Sequence, residues 1–73
     1  MGTSATSTEQ ISESVRVHRS EKGWSQLELA NRAGLDRKTV NRIENGRFAP
    51  SVTTLLAVST ALGVSVNNLL GEK

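Results

Sequence analysis

The sequence predicts an all-α domain of five short helices, with the second and third forming a helix-turn-helix. Three observations carry this prediction. Apolar residues recur at helical spacing in successive short segments. The segments open on serine or aspartate, residues suited to the N-cap, and close at a glycine suited to the C-terminal turn. Between the second and third segments lies a turn of about 3–4 residues containing a glycine, the spacing of a helix-turn-helix.

A chain of 73 residues allows one small domain. At this size hydrophobic burial only just exceeds the entropy of ordering the chain. The sequence has no cysteine, so a disulfide framework and a thiolate metal site are both excluded. No run approaches the roughly 18 apolar residues of a membrane span, and the N-terminus lacks the basic-then-apolar pattern of a signal peptide. A cytoplasmic, nucleoid-associated protein is expected. One histidine, no cysteine and no paired carboxylates argue against an enzyme. No cofactor, metal or small-molecule ligand is expected. The net charge of +2 is modest and does not by itself require a nucleic-acid partner.

The first element is expected from Ser7 or Thr8 to Lys22, preceded by a small, polar, disordered tail over residues 1–7. The domain proper then spans residues 8–71, and residues 72–73 fray. The tail carries no Arg or Lys, so it should make no groove contact of the kind homeodomain arms make. Ser7 with Gln10 forms a capping-box pattern. Ile11, Val15, His18 and Arg19 share one face, and Gly23 ends the helix. His18 reads as a half-buried histidine; with Glu21 it makes a poor metal pair lacking a third ligand.

The second helix opens with a capping box of Ser25 and Glu28, and Trp24 and Leu29 stand at the positions of a hydrophobic staple. Leu29, Ala30 and Ala33 form its inner face. Ala30 has to be small because the third helix crosses over it. Gly34 closes the helix and Asp36 is placed to cap the next, with Leu35 and Val40 as a second staple. Val40, Ile43 and Glu44 face inward along the third helix. Arg37, Lys38, Asn41 and Arg42, at i, i+1, i+4 and i+5, point outward together. All four are donors, and Arg and Asn are favoured readers of guanine and adenine edges. Gly46 follows. Phe48, the single phenylalanine, should pack beneath the exit loop or against the fourth helix.

Pro50-Ser51 punctuates that loop, and Ser51 caps the fourth helix. Val52, Leu55, Leu56, Ser59 and Leu62 form a wide core-facing stripe. After Gly63, Ser65 caps a fifth helix over VNNLLG, with Val64 and Leu69 as its staple. Between Gln26 and Arg47 lie five basic residues, Arg32, Arg37, Lys38, Arg42 and Arg47. The three acids of the same stretch all have structural places, Glu28 and Asp36 at caps and Glu44 on the inner face. Charge and helix-turn-helix geometry therefore coincide.

The segments SQLELA, AGLD, TVNRIENG and PSVTTLLAVSTALGVS resemble the Xre-type helix-turn-helix family, similar to the DNA-binding domains of lambdoid phage repressors and Cro. The resemblance covers roughly Ile11 to Leu70. It implies a five-helix, lambda-repressor-like fold. It also implies that Arg19 pairs with Glu44, and that Gln26 touches a phosphate while buttressing the recognition helix. In the family the Asn45–Arg47 loop lies along the DNA backbone.

The expected function is sequence-specific binding of double-stranded DNA by a prokaryotic or phage transcriptional regulator, most simply a repressor. Arg37, Lys38 and Asn41 should read bases, while Gln26, Arg42, Asn45 and Arg47 should contact phosphates. Relatives bind near-palindromes as dimers, which places a homodimer contact on the fifth helix at Val66, Asn67 and Leu70. Activation is less supported, because the positions at which related phage repressors carry an acidic patch on the second helix hold Leu27 and Asn31 in this chain. Two other functions fit the same elements. A DNA-binding antitoxin would need a toxin-binding segment, and none is visible. A helical protein-interaction module would leave the donor-rich third helix unexplained.

Overall fold

The computed structural model describes residues 7–47 and 49–70. Within them the helices are α1 (Ser7–Glu21), α2 (Gln26–Ala33), α3 (Arg37–Glu44), α4 (Val52–Leu62) and α5 (Val66–Leu69). α1 thus opens at Ser7, one residue before the expected domain boundary. The expected disorder of residues 1–6, the packing of Phe48 and the fraying of the C-terminus lie outside the described residues, as does the Ser7 side chain with its capping box.

The local signals act much as the residue types dictate. Ser25, Ser51 and Ser65 each hold an extended backbone and accept a hydrogen bond from the amide three residues on. α2 ends in a Schellman turn: Gly34 takes a left-handed φ of 70°, and the Leu35 amide reaches back to the Ala30 carbonyl at 2.8 Å. Only glycine enters that conformation without a Cβ penalty. The turn sends the chain through Leu35 and Asp36 directly into α3.

Each helix gives part of one core. Ile11 and Val15 of α1, Leu29 and Ala30 of α2, Val40 and Ile43 of α3, Val58 and Leu62 of α4, and Leu69 of α5 are all buried. α2 packs on α3 and α4, while α1 bridges α3, α4 and α5. Ala30 is fully buried, as expected for the residue beneath a helix crossing. Trp24, Leu35, Leu55, Val64 and Leu70 pack around the rim.

The α4 stripe differs from expectation. Val52 and Leu56 are exposed at 72% and 51%, and Val58 is fully buried in their place. The buried face runs through Val58, Ser59 and Leu62, with Leu55 half-buried one turn earlier. Leu56 stands about 100° around the helix from Leu55, and Val52 sits in the first turn, beyond the edge of the core. Leu56→Gln should therefore change stability by no more than about 0.5 kcal/mol. A thermal melt checks this, and a loss of several degrees would mean that Leu56 is core after all.

Candidate nucleic-acid interface

α3 separates into an inner apolar face and an outer cationic one. Val40, Ile43 and Glu44 are buried. Arg37, Lys38 and Arg42 are exposed, and among the described residues their side chains make no hydrogen bond or ion pair. The first turn of α3 contains no acid. Two cations there oppose the positive end of the helix dipole, an unfavourable placement that a bound polyanion reverses. Asp36 stands at the N-cap with extended backbone, but its side chain makes no capping bond. The cap is present in position only, so the first amides of α3 have no side-chain acceptor from it.

Behind this face lies a continuous set of polar bonds. The Arg19 guanidinium reaches from α1 and grips the Glu44 carboxylate with two bonds, Nε to Oε2 at 2.6 Å and Nη2 to Oε1 at 3.0 Å. Its third nitrogen, Nη1, donates to the Trp24 carbonyl at 2.6 Å. Arg19 thereby joins α1, the corner entering α2, and the end of α3. The pairing implied by the family resemblance is present, in bidentate form. The side chains are 17% and 4% exposed, so the carboxylate is the more buried partner. The hydrogen bonds that Arg19 donates to Glu44 raise its pKa above the ordinary range; desolvation opposes this, and the carboxylate charge adds to the increase. Because the folded value is raised, Arg19 stays charged at every pH in normal use and contributes no pH dependence there.

The set continues outward. Gln26 Nε2 donates to Glu44 Oε1 at 3.1 Å, Asn41 Nδ2 to Gln26 Oε1 at 3.2 Å, and Asn45 Nδ2 to Asn41 Oδ1 at 3.0 Å. Five of the candidate site residues, Arg19, Glu44, Gln26, Asn41 and Asn45, are therefore brought together. Gln26 bonds to two residues of α3 at once. Arg47 is exposed beyond Gly46, whose φ of 69° turns the chain so that the Arg47 amide bonds back to the Arg42 carbonyl. On α5, Asn67 is exposed and Val66 half-buried, and Leu70, at the C-cap of that helix, is half-buried too. These three stand apart from the polar set, on a helix that packs against α1 and α4.

Two features were not anticipated from sequence. The Ser12 hydroxyl, buried on α1, donates to the Glu44 carbonyl and satisfies the open end of α3. Its spacing from Val15 and Arg19 was the available signal. Trp24 has Lys22 and Arg32 over its ring, at 5.3 Å and 4.4 Å from the centroid. Arg32 also bonds Glu28 at 2.6 Å, an exposed pair on α2. His18 is half-buried and its Nδ1 bonds the Ser14 carbonyl one turn back. Among the described residues no group of His, Cys, Asp and Glu is placed to hold a metal ion, and no helix is long and apolar enough to cross a membrane.

Comparison with known proteins places this geometry in a context. The profile of a helix-turn-helix family, HTH_3, matches residues 9–69. The immunity repressor protein of Bacillus phage phi105 is 36% identical over 63 residues, covering 86% of this chain and 44% of the repressor. The HTH-type transcriptional regulator SinR of Bacillus subtilis is 42% identical over 64 residues, covering 86% of this chain and 58% of SinR. The chain thus spans about half the length of these two relatives. Among solved structures, the restriction-modification controller protein C.AhdI from Aeromonas hydrophila superposes with a TM-score of 0.81 at 34% identity, over 85% of this chain and 94% of that one.

Proposed function

The chain belongs to the HTH_3 helix-turn-helix family, of the Xre type, and from that premise we propose that it is a transcriptional repressor that binds a near-palindromic operator as a dimer. α3 enters the major groove. Arg37 and Lys38, in its first turn, read base edges with Asn41. Gln26, Arg42, Asn45 and Arg47 hold the flanking backbone and fix the register without reading sequence. Occupancy of the operator then excludes polymerase from the cytoplasmic nucleoid DNA it covers.

One observation carries this reading: the outer face of α3 presents Arg37, Lys38 and Arg42 with no partner among the described residues, over an inner face that is fully engaged. Two of these cations, Arg37 and Lys38, stand at the wrong end of the helix dipole, which favours an anionic partner. The kinship with a phage immunity repressor supports repression in particular.

One recognition helix reads too few base pairs to be selective, so two copies should act together. The contact between them is assigned to α5, at Val66, Asn67 and Leu70. Selection of bound sequences from random duplex DNA, followed by footprinting, tests the proposal. The expected result is a two-fold site with half-sites about 34 Å apart, one helical turn, on one face of the duplex. A one-to-one complex with an asymmetric footprint would rule out the dimer, and recovery of no preferred sequence would rule out the repressor.

A further inference from the structure

We propose that Glu44 is a positioning residue for base recognition: acting through Gln26, it fixes which way the Asn41 amide faces, and so which base edge Asn41 can accept. This inference rests on the reading of Asn41 as a base contact.

The argument begins with chemistry that permits only one arrangement. A carboxylate only accepts hydrogen bonds. The Gln26 atom facing Glu44 Oε1 at 3.1 Å must therefore be nitrogen. An amide has two ends, so the Gln26 oxygen faces the other way, toward Asn41 at 3.2 Å. Asn41 must answer with its nitrogen, which turns its own oxygen toward Asn45 at 3.0 Å. Asn45 answers in turn with nitrogen. Asn and Gln amides are ordinarily ambiguous between two flips. Here one buried charge removes the ambiguity from three successive amides. The charge is itself held by the two bonds from Arg19, and its side chain is 4% exposed, so solvent does not compete for it.

The consequence appears at Asn41. One of its N–H groups and one oxygen lone pair are used internally, which leaves one N–H and one lone pair, in fixed places. That is the complement of adenine, with N7 as acceptor and the N6 amino group as donor. The flipped amide would offer the same two groups exchanged. It would then set oxygen against N7 and nitrogen against the N6 amino group of adenine, and neither bond could form. Base choice at this position therefore depends on a carboxylate that faces the interior of the domain.

Gln26→Met interrupts the relay while keeping the Arg19–Glu44 bonds and much of the side-chain volume. Two measurements decide the matter. The first uses the free protein: hydrogen exchange of the Asn41 side-chain amide, followed by NMR, should become faster in Gln26→Met than in the wild type. The second is the ratio of affinities for operators with adenine and with guanine at the Asn41 position. Removing a bond from Gln26 to a phosphate lowers both affinities alike and leaves that ratio unchanged. The expected result is a fall of about tenfold in the adenine preference, the lower part of the range for a bidentate base contact. Exchange and preference both unchanged in Gln26→Met would overturn the relay while leaving the DNA reading intact. If Asn41→Ala leaves base preference unaltered, Asn41 is not a reader, and the relay and that part of the functional reading fall together.

Discussion

Replacing Glu44 with glutamine should lower the stability of the domain by about 2–4 kcal/mol. Removing one partner of a buried ion pair costs roughly 3–5 kcal/mol, because the remaining charge is left desolvated and unpaired. The discount reflects the 17% exposure of Arg19, which lets water reach part of the guanidinium. Glutamine cannot accept at both of its terminal atoms, so one Arg19 donor loses its acceptor in either orientation, and with nitrogen in the place of Oε1 the Gln26 donor loses its acceptor as well. Arg19→Met should cost a comparable amount, since it strands a carboxylate that is 4% exposed and also leaves the Trp24 carbonyl without its donor. In a chain this small, each loss corresponds to a melting-temperature drop of about 8–30 °C. The double variant should recover a coupling energy of about 1–3 kcal/mol. Thermal melts of the two single variants and the double variant measure it, and strictly additive losses would show that the pair does not interact. Breaking the exposed Arg32–Glu28 pair in the same way should cost no more than about 0.5 kcal/mol.

Arg37→Ala should weaken binding to the selected operator by about 1–3 kcal/mol, tenfold to more than a hundredfold, and relax preference at one base pair. Arg47→Ala should instead weaken operator and random DNA alike and reduce the salt slope by about one. The Arg37 side chain is exposed and bonded to nothing among the described residues, so its removal should leave the melting temperature nearly unchanged. That separates a binding defect from a folding defect. Affinity for both DNAs across a salt series is the measurement. Equal weakening on both DNAs by Arg37→Ala, or a changed preference in Arg47→Ala, would mean that the division between readers and grips is drawn in the wrong place.

Most of the fold is legible in the sequence because most of its signals are local. Ser25, Ser51 and Ser65 act on amides three residues away, and Gly34 acts on the turn it occupies. Such signals survive without knowledge of the tertiary structure. Expectation and structure part where tertiary position decides. Val52 satisfies the α4 pattern but lies past the end of the core it was meant to cover, and Val58 takes the buried place. Asp36 has the right residue type and backbone for a cap, but its side chain makes no capping bond. The outer face of α3 could be read from spacing alone, since Arg37, Lys38 and Arg42 need only point outward. The Gln26 bonds could not. They join residues 18 and 15 positions apart, and their polarity depends on a charge held by a third helix.

That the Arg37, Lys38 and Arg42 side chains have no partner among the described residues bears on how such a regulator changes over generations. Substitution at these positions meets little resistance from folding, so a duplicated copy can acquire a new target one residue at a time while remaining folded. Arg19, Gln26 and Glu44 lack that latitude, because each is bonded to another of the three and a change in one strands its neighbour. Among descendants of this chain, targets should diverge early, and the three bonded positions should change late and together.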